Sequence, residues 1–310
     1  MKDTPESRDK LIIASRNVLS TLPKLGLVKK PNFHKEGASF IIPVKDEEQW
    51  IKLCILSIEP VADEIIVVDS SVEDKTTEIV ESLSKRFDKI KHIRFYWQGV
   101  NAYALALHIG LVTANYKWVF KWDSDYVAKS TESLMEWKNR LYRLDKKKYF
   151  VIDIPRINLE GDLFHQPKNC PFGIYEGRLF TWSPELKWAL KDNYYSEQIT
   201  GDSIWGHRFP PWYKILRWHE PYIFHCNIKS PKRMLMRVFW DDFVLNRDAR
   251  FQSLQDYTAY RVNSEWHMSM EEAQKKVMDT HLQNLIPYDK SRFGDLPEIL
   301  MEHFKNQKQY

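Results

Sequence analysis

The stretch SFIIPVKDEEQWIKLCILSIEPVADEIIVVD, Ser39 to Asp69, carries two short apolar runs on either side of a segment with helical spacing. SFIIPV and EIIVVD are continuous and rich in β-branched residues, which is typical of strands buried on both faces. Between them, EEQWIKLCILSI has acids in its first turn and apolar residues at helical spacing, namely Trp50, Leu53, Cys54 and Ile58. The stretch therefore predicts a strand, a helix and a second strand.

The same alternation continues towards the C-terminus. KTTEIVESLSKRF predicts a second helix, HIRFYW (His92 to Trp97) a third strand, NAYALALHIGLVTA (Asn101 to Ala114) a third helix and WVFKW (Trp118 to Trp122) a fourth strand. This order predicts an α/β fold with a mostly parallel, Rossmann-like central sheet flanked by helices. In such a sheet, ligands bind beyond the carboxyl ends of the strands.

Acidic residues stand where three of these strands end: Asp46, Asp69, and the pair Asp123 and Asp125 in WVFKWDSDYVAKS. If the fourth strand continued, this pair would share a face with Cα atoms about 6 to 7 Å apart, and the charges would repel unless a cation or a shared proton intervened. A simpler interpretation is a solvated strand end, with Asp46 and Asp74 as helix caps. The sequence has no Walker A motif and no GxGxxG, so a metal bridge is the remaining common way to hold a diphosphate.

Composition limits the class of protein. Of the 310 residues, 43% are hydrophobic and 28% are charged, which is typical of a globular chain rather than a disordered one. The formal net charge of +4, from 46 basic and 42 acidic residues, is too balanced to indicate nucleic acid as a partner. Cys54, Cys170 and Cys226 lie far apart and form no CxxC pair, which favours a reducing, cytoplasmic compartment and no structural zinc.

The N-terminal region leaves two interpretations open. No apolar run approaches the ~20 residues of a membrane span, and MKDTPESRDK lacks the shape of a secretory signal. LIIASRNVLSTLPKLGL, Leu11 to Leu27, mixes apolar and small polar residues and is followed by Lys29 and Lys30. A helix there, broken near Pro23 and Gly26, either packs on the domain or lies on an anionic bilayer, as a peripheral contact at the inner face of a membrane.

The second half of the chain is less regular. YFVIDI (Tyr149 to Ile154) and RLFTW (Arg178 to Trp182) predict strands, separated by a long loop that contains Gly and Pro. PYIFHCN (Pro221 to Asn227) predicts another strand, and the chain from about Ser230 reads as mainly helical. Long loops in compact domains are often functional or disordered, so the loop before RLFTW is a candidate for either.

In their order and spacing, the motifs from Ser39 to Asp125 resemble those of the family 2 glycosyltransferases, which have the GT-A fold. SFIIPVKDEEQWIKLCILSI is similar to that family's opening strand and helix, and EIIVVDSSVEDKTTEIV resembles its second strand and turn. NAYALALHIGLVTANYKWVFKWDSD resembles its Asn-x-x-x-Ala helix and the strand that ends in the metal-binding DxD. The resemblance implies an inverting enzyme that moves a sugar from a nucleoside-diphosphate sugar, with a UDP-sugar favoured, to a hydroxyl of a glycan, polysaccharide or glycolipid.

The resemblance also implies roles for individual residues and a domain division. Pro43 and Asp46 would border the nucleobase, Asp69 would bind the base or ribose, Asp123 would face the ribose and diphosphate, and Asp125, with Asp123, would bind Mn²⁺ or Mg²⁺. The implied organisation is a helical extension at residues 1–37, a catalytic domain at 38–228 and a helical region at 229–310. Within the domain, 38–128 would bind the nucleotide sugar and 129–228 would face the acceptor.

Two residues are candidates for the catalytic base, which would take the proton from the acceptor hydroxyl. The family uses an Asp after the acceptor-side strand, and GDSIWGHRF offers Asp202, while FGIYEGRLF offers Glu176. His225, in PYIFHCN, resembles a later His that can complete the metal site, and one nitrogen ligand is compatible with Mn²⁺. A hydrogen-bonded core histidine is the alternative interpretation of His225.

The sequence also departs from the family's pattern. Lys45 stands where Tyr or Phe is common, Asp46 where Asn is common, Lys75 replaces a Gly, and Gly201 replaces the Glu that often precedes the base. KSPKRMLMR, Lys229 to Arg237, follows His225 closely. It is either a cationic clamp for a phosphate group or the solvated face of a helix.

Three other functions compete with a transferase. A catalytically silent domain that binds a nucleotide or glycan as a scaffold would be expected to have lost a DxD carboxylate, yet DSD is intact. A sugar nucleotidyltransferase usually opens with a Gly-rich, Arg-containing loop, which PVKDEE is not. A metal hydrolase would need His165, His207 or His225, and no HxxxH or HxH spacing is present.

Overall fold

The computed structural model describes residues 5–31, 34–96, 102–173, 175–191, 194–199, 202–204, 207–240, 242–243, 250–251 and 253–307. Side chains are described within these ranges except at 5–11, 102, 189–191, 194–199, 202–204, 207–208 and 306–307.

The elements of these residues alternate between strand and helix in the first half of the chain. The strands are β1 (Lys35–Val44), β2 (Glu64–Asp69), β3 (Ile90–Arg94), β4 (Tyr116–Lys121), β5 (Tyr126–Ala128), β6 (Tyr149–Ile154), β7 (Ile157–Glu160), β8 (His165–Pro167), β9 (Glu176–Thr181), β10 (Trp188–Lys191), β11 (Tyr194–Ile199), β12 (Asp202–Ile204), β13 (His207–Phe209), β14 (Tyr213–Arg217), β15 (Ile223–Asn227) and β16 (Leu285–Pro287). The helices are α1 (Pro5–Leu19), α2 (Ile51–Ile58), α3 (Thr76–Arg86), α4 (Ala102–Thr113), α5 (Thr131–Tyr142), α6 (Pro231–Val238), α7 (Leu254–Arg261), α8 (Met270–Leu282), α9 (Lys290–Phe293) and α10 (Glu298–Gln307), with a π-helix at Val262–Trp266.

Seven strands form the central sheet, in the order β14, β6, β9, β4, β1, β2, β3. All neighbours in it run parallel except β9, which is antiparallel to both β4 and β6. The predicted mostly parallel α/β sheet is therefore confirmed. Val44 pairs with Asp69 and Asp69 pairs with Arg94, so the carboxyl ends of β1, β2 and β3 meet at one edge.

Apolar layers cover both faces of this sheet, as strands buried on two sides require. One face packs against α2, α3 and α5, with Phe40 and Ile42 of β1 pointing into that layer. Ile41, between them, points to the other face, where α4 packs. The alternation of Phe40, Ile41 and Ile42 is the period of two that a buried strand imposes on its side chains.

A second, three-stranded sheet in the order β5, β15, β7 stands beyond the end of β4. β15 runs antiparallel to β5, with His225 opposite Tyr126, and parallel to β7, with His225 opposite Asn158. This sheet brings the residues that follow the DxD beside His225. The long loop predicted after Ile154 was wrong in part, because its first residues form β7 and β8.

Two predicted boundaries also differ. The helix predicted from the acids after Asp46 begins only at Ile51, because Asp46 has φ of 52° and the amide of Glu47 donates to Thr76 Oγ1 at 2.8 Å. These contacts hold the acids in a turn, and α2 has no acid in its first turn. The third strand ends at Arg94 rather than Trp97, which lies outside the described residues.

The N-terminal helix α1 packs on the edge strand β14. Arg16 is 2% exposed, and its guanidinium donates to the carbonyls of Phe209 and Pro210 at 2.7 Å each. Within the ranges that the structure describes, every helix is too short or too polar to cross a bilayer. After Ser230 the described chain is mainly helical, as the sequence predicts.

Candidate active site

The carboxylate of Asp69 lies at the end of β2 and is fully buried. Its Oδ1 accepts from the amide of Ser71 at 2.8 Å, and its Oδ2 accepts from Thr77 Oγ1 at 2.9 Å and lies 3.0 Å from His92 Nε2. The Arg94 guanidinium also donates to Oδ2. Burial alone would raise the pKa of Asp69, but the hydrogen bonds outweigh it and hold the pKa well below its usual range, so the group is ionised.

Asp46 joins the ends of β1 and β2. Its carboxylate accepts from the amides of Val72 and Glu73 at 2.8 and 2.9 Å, while its own amide donates to Ser71 Oγ at 2.8 Å. Asp46 has a positive φ, a conformation that Asp and Asn adopt more readily than most residues. This conformation explains why Asp can stand here in place of the commoner Asn. Pro43, also predicted to border the base, lies within β1 and pairs with Val68.

Asp123 follows β4 and is held by two side chains from other elements. Its Oδ1 accepts from the hydroxyl of Tyr103 on α4 at 3.0 Å, and its Oδ2 accepts from Arg178 Nη1 on β9 at 2.7 Å. Burial would raise the pKa of Asp123, but the charges of Arg178 and Lys121 outweigh it and lower the pKa. Lys121 itself is buried, and burial lowers the pKa of its ammonium to about 7.

A β-bulge aims Arg178 at this site. In the pairing of β6 with β9, Ile152 faces Leu179 and Asp153 faces Gly177, so Arg178 is the extra residue. A bulge turns its extra residue away from the regular alternation, and such features concentrate beside active sites. The sequence carries no local signal for it, because the register depends on two strands that are far apart in the chain.

Asp125 lies at the start of the second sheet, and its Oδ2 meets two nitrogen atoms. Lys229 Nζ is 3.0 Å away and His225 Nε2 is 3.5 Å away. Burial would raise the pKa of Asp125, but His225 and Lys229 beside it outweigh that effect and hold the pKa well below its usual range. Asp125 is therefore an ionised carboxylate with little contact with solvent.

Asn158 on β7 determines which nitrogen of His225 carries a proton. The amide nitrogen of Asn158 donates to the carbonyl of Cys170 at 2.8 Å, so its Oδ1 is the atom that lies 3.1 Å from His225 Nδ1. That oxygen has no hydrogen, so the network assigns the proton to Nδ1. In the neutral ring, Nε2 then points a lone pair at Asp125, and the two repel unless a proton or a metal ion lies between them.

This pair fits a divalent cation. A metal-binding histidine usually donates its other ring N–H to a carbonyl or carboxylate, as His225 does to Asn158. Among the described residues no three His, Cys, Asp or Glu side chains converge, and both oxygens of Asp123 already accept from protein donors. Asp125 and His225 could therefore supply two ligands to such an ion, and any others would have to come from outside the described side chains.

The basic segment predicted after His225, Lys229 to Arg237, contacts the carboxylate of Glu47 as well as that of Asp125. Lys229 Nζ lies 3.1 Å from Glu47 Oε1, and Arg233 Nη2 lies 2.6 Å from that oxygen. Arg233 Nη1 also donates to the carbonyl of Asp46 at 3.0 Å. The start of this segment and of α6 therefore lies on the loop that follows β1.

The structure describes the surroundings of only one of the two predicted base candidates. Glu176 lies between Arg156, at 2.7 Å, and Arg178, and although burial would raise its pKa, these cations hold the pKa well below its usual range. A carboxylate so stabilised in its ionised form is a weak proton acceptor. Asp202 belongs to β12, but its side chain lies outside the described residues.

Asp153, which the sequence reasoning missed, is another acid at the carboxyl end of a strand. It is 3% exposed, and burial raises the pKa of its carboxyl to about 7. Arg217 Nη2 lies 3.9 Å from its Oδ2, and no donor of the described residues hydrogen-bonds to that oxygen. Its position in YFVIDI, at the end of a predicted buried strand, is the signal that would have revealed it.

Comparisons with solved structures give distant likenesses. The chain is 16% identical to S. aureus TarS, with a TM-score of 0.39, over 76% of this chain and 44% of that one. It is 16% identical to TarS 1-349 in complex with UDP-GlcNAc, with a TM-score of 0.43, over 76% and 74%. For glucosyl-3-phosphoglycerate synthase from Mycobacterium tuberculosis, in complex with Mn²⁺, UDP and glucosyl-3-phosphoglycerate, the identity is 19% and the TM-score 0.29, over 46% and 47%. The chain thus spans less than half the length of the first of these proteins.

Comparison by sequence gives one family and no individual relative. No curated protein matches the chain. The sequence model of glycosyl transferase family 2 matches residues 39–202, which is more than half of the chain. The match covers the strands that carry Asp69, Asp123 and Asp125, together with Glu176 and Asp202. The chain therefore belongs to glycosyl transferase family 2.

Proposed function

We propose that this protein is a metal-dependent, inverting glycosyltransferase that moves a sugar from a nucleoside-diphosphate sugar to a hydroxyl acceptor. The observation that carries the proposal is the pair of Asp125 and His225, whose facing atoms lie 3.5 Å apart, with the other ring nitrogen of His225 held by Asn158. A carboxylate and a lone pair so placed suit a divalent cation beside a diphosphate. Family membership supports the donor class.

The donor would lie along the carboxyl ends of β1, β2 and β4. In this proposal Pro43 and Asp46 border the nucleobase, Asp69 orients the base or ribose, and Asp123 faces the ribose and diphosphate. The ionised state of Asp69 and Asp123 supports these roles, because a carboxylate accepts hydrogen bonds from sugar hydroxyls and from base N–H groups. A UDP-sugar remains the favoured donor.

Asp125 and His225 would hold Mn²⁺ or Mg²⁺. When bound, such an ion acts as a Lewis acid that stabilises the charge on the departing diphosphate. The residues of the chain prepare this place in two ways: Asp125 is kept ionised, and Asn158 fixes the ring of His225.

Asp202 is the proposed base. In a single displacement with inversion, the acceptor oxygen bonds to the anomeric carbon, the bond from that carbon to the diphosphate breaks, and the acceptor proton passes to the carboxylate of Asp202. Glu176 was the second candidate, but its ion pairs with Arg156 and Arg178 favour a positioning role. Through Arg178, Glu176 would keep the carboxylate of Asp123 in place.

The acceptor class in this proposal is a growing glycan, polysaccharide or glycolipid, and the compartment is the cytoplasm, at the inner face of a membrane. The turn after α1 supports contact with anionic lipid. Leu25 and Leu27 are 69% and 71% exposed, and Lys29 and Lys30 beside them are exposed as well. Exposed leucines flanked by lysines suit an interface between apolar chains and anionic headgroups.

A catalytically silent scaffold is the second candidate, because the ammonium of Lys229 already pairs with Asp125. One experiment separates the two functions. The protein is incubated with Mn²⁺ and with UDP-, GDP- and dTDP-sugars, and released nucleotide is measured. Release from one class of donor, enhanced by an acceptor, supports the transferase. Nucleotide binding with no release would support the scaffold, and neither binding nor release would contradict both the transferase and a nucleotide-binding scaffold.

A further inference from the structure

Lys229 fills the space between two buried carboxylates at the proposed metal site. Its Nζ lies 3.0 Å from Asp125 Oδ2 and 3.1 Å from Glu47 Oε1. The three side chains are 9%, 10% and 8% exposed, in the order Lys229, Asp125 and Glu47. The ammonium is therefore a largely desolvated bridge rather than a surface ion pair.

With the ring of His225 neutral, the charges around this bridge are balanced without any metal ion. Asp125 and Glu47 supply two negative charges, and Lys229 and Arg233 supply two positive charges. Glu47 Oε2 is buried and accepts no hydrogen bond from the described residues, so it adds no further partner for the ammonium of Lys229. A divalent cation at Asp125 would leave this cluster with a large positive excess.

We infer that Lys229 competes with the divalent cation for Asp125, and that it thereby makes metal binding depend on the diphosphate of the donor. This inference rests on the proposed function. When the divalent cation binds alone, the ammonium of Lys229 must leave Asp125, and it then lies close to another positive charge, which is unfavourable. When it arrives with a diphosphate, the phosphate oxygens supply the missing negative charge and a new partner for the ammonium.

The position of Lys229 in the chain fits this exchange. Lys229 stands between His225 on β15 and Ser230, which caps α6 by accepting from the amide of Arg233. Regular structure flanks Lys229 on both sides, and rotation of its flexible side chain is enough to move the ammonium. Arg233 stays on Glu47 at 2.6 Å and keeps that carboxylate paired while Lys229 changes partner.

The test is a titration of Mn²⁺ into the full chain, with and without UDP. The electron paramagnetic resonance signal of free Mn²⁺ measures how much of the ion is bound. Without UDP, Lys229→Met should bind Mn²⁺ about tenfold more tightly than the wild type. The factor by which UDP raises the Mn²⁺ affinity should be about tenfold smaller in Lys229→Met than in the wild type. Lys232→Met removes the same charge from an exposed position on α6 and should behave as the wild type. Lys229→Gln is a second neutral variant, to be used if Lys229→Met unfolds at a much lower temperature than the wild type.

The outcomes separate this inference from the proposed function. If the wild type binds Mn²⁺ with UDP and turns over, but neither Lys229 variant gains Mn²⁺ affinity without UDP, the inference is wrong and the proposed function stands. If the wild type binds no Mn²⁺ even with UDP while Lys229→Met binds it, Lys229 blocks the ion and the proposed metal dependence is wrong. If no form binds Mn²⁺, both are wrong.

Discussion

The Nδ1 atom of His225 lies 3.1 Å from Oδ1 of Asn158, and this contact leaves Nε2 to face Asp125. Asn158 belongs to β7 and His225 to β15, so the contact depends on the pairing of these two strands. The metal proposal therefore rests as much on a neutral amide 67 residues away in the chain as on the acids of the DxD.

Asn158→Leu should weaken Mn²⁺ binding in the presence of UDP. Without the amide oxygen, the ring of His225 can turn or place its proton on Nε2, and loss of such a partner typically costs about 10- to 100-fold in metal affinity. Asn158→Asp keeps an acceptor oxygen and should retain most of the affinity. Isothermal titration calorimetry measures both, and equal affinities for Asn158→Leu and the wild type would refute the role of Asn158.

Asp125→Ala should abolish metal-dependent binding of UDP as well as turnover. Asp125 is the carboxylate nearest His225 Nε2, and Lys229 retains Glu47 as a partner in the variant, so we expect the fold to persist. Thermal shift with UDP and Mn²⁺ measures the binding. Asp88→Ala, at an exposed residue of the turn before β3, is the control. A metal-dependent shift in Asp125→Ala equal to that of the wild type would remove Asp125 from the site.

Asp202→Asn and Glu176→Gln should fail in different ways. Asp202→Asn should lose turnover while UDP binding and stability remain, because only the proposed proton acceptor is removed. Glu176→Gln should lower the free energy of unfolding by about 3 kcal/mol, because Arg156 and Arg178 would be left with too little compensating charge. Nucleotide release and urea unfolding distinguish the two. An unstable Asp202→Asn beside a stable, inactive Glu176→Gln would reverse the assignment.

Asp153 should make the protein less stable as the pH rises. Its pKa is about 7 in the folded protein, against ~4 for an ordinary aspartate, so between these values the folded state binds more protons than the unfolded state. The free energy of unfolding therefore falls as the pH rises through this window. The charged groups that face Asp153 are Arg217 on β14, which lowers the pKa, and Glu176 on β9, which raises it.

Asp153→Asn removes this dependence. We expect the free energy of unfolding of the variant to exceed that of the wild type by about 2 to 4 kcal/mol at pH 8 and to equal it near pH 4. The reason is that a pKa raised by three units corresponds to about 4 kcal/mol. Urea unfolding across this range measures the difference. Asp162→Asn, at a half-exposed side chain, is the control. A constant difference between Asp153→Asn and the wild type at every pH would contradict the raised pKa.

Leu25→Ser with Leu27→Ser should reduce binding to vesicles that contain anionic lipid. The two side chains are about 70% exposed, and each would lose its apolar contact with the bilayer. Co-sedimentation with phosphatidylglycerol vesicles and with phosphatidylcholine vesicles measures the effect. Val112→Ser, at a valine that is 62% exposed on α4, is the matched control. Equal sedimentation of the wild type and the double variant would contradict membrane contact through this turn.

The sequence predicted those features that depend on local periodicity. Continuous apolar runs marked β1, β2 and β4 as buried strands, and because parallel strands end at the same edge, Asp46, Asp69 and Asp123 were expected together. The start of α2 was misplaced because contacts from the neighbouring loop, such as the amide of Glu47 on Thr76, outweigh the helical preference of the acids.

What the sequence did not reveal depends on pairing between distant segments. Arg178 reaches Asp123 because of a bulge between β6 and β9, and Asn158 reaches His225 because β7 joins β15. Neither Arg178 nor Asn158 stands in a local sequence pattern that indicates such a contact. The aspartates could be found one strand at a time, whereas their partners could be found only once the strands were assembled.

The three-stranded sheet of β5, β15 and β7 has a consequence for how the protein matures. Asp125 and Asn158 lie 100 and 67 residues before His225 in the sequence, and pairings between segments so far apart slow folding. The central sheet contains a pairing over a similar distance, since Ser39 of β1 lies opposite Val119 of β4. A nascent chain can therefore bring Asp125, Asn158 and His225 together only after β15 has been synthesised, because β15 is the last of the three strands in sequence.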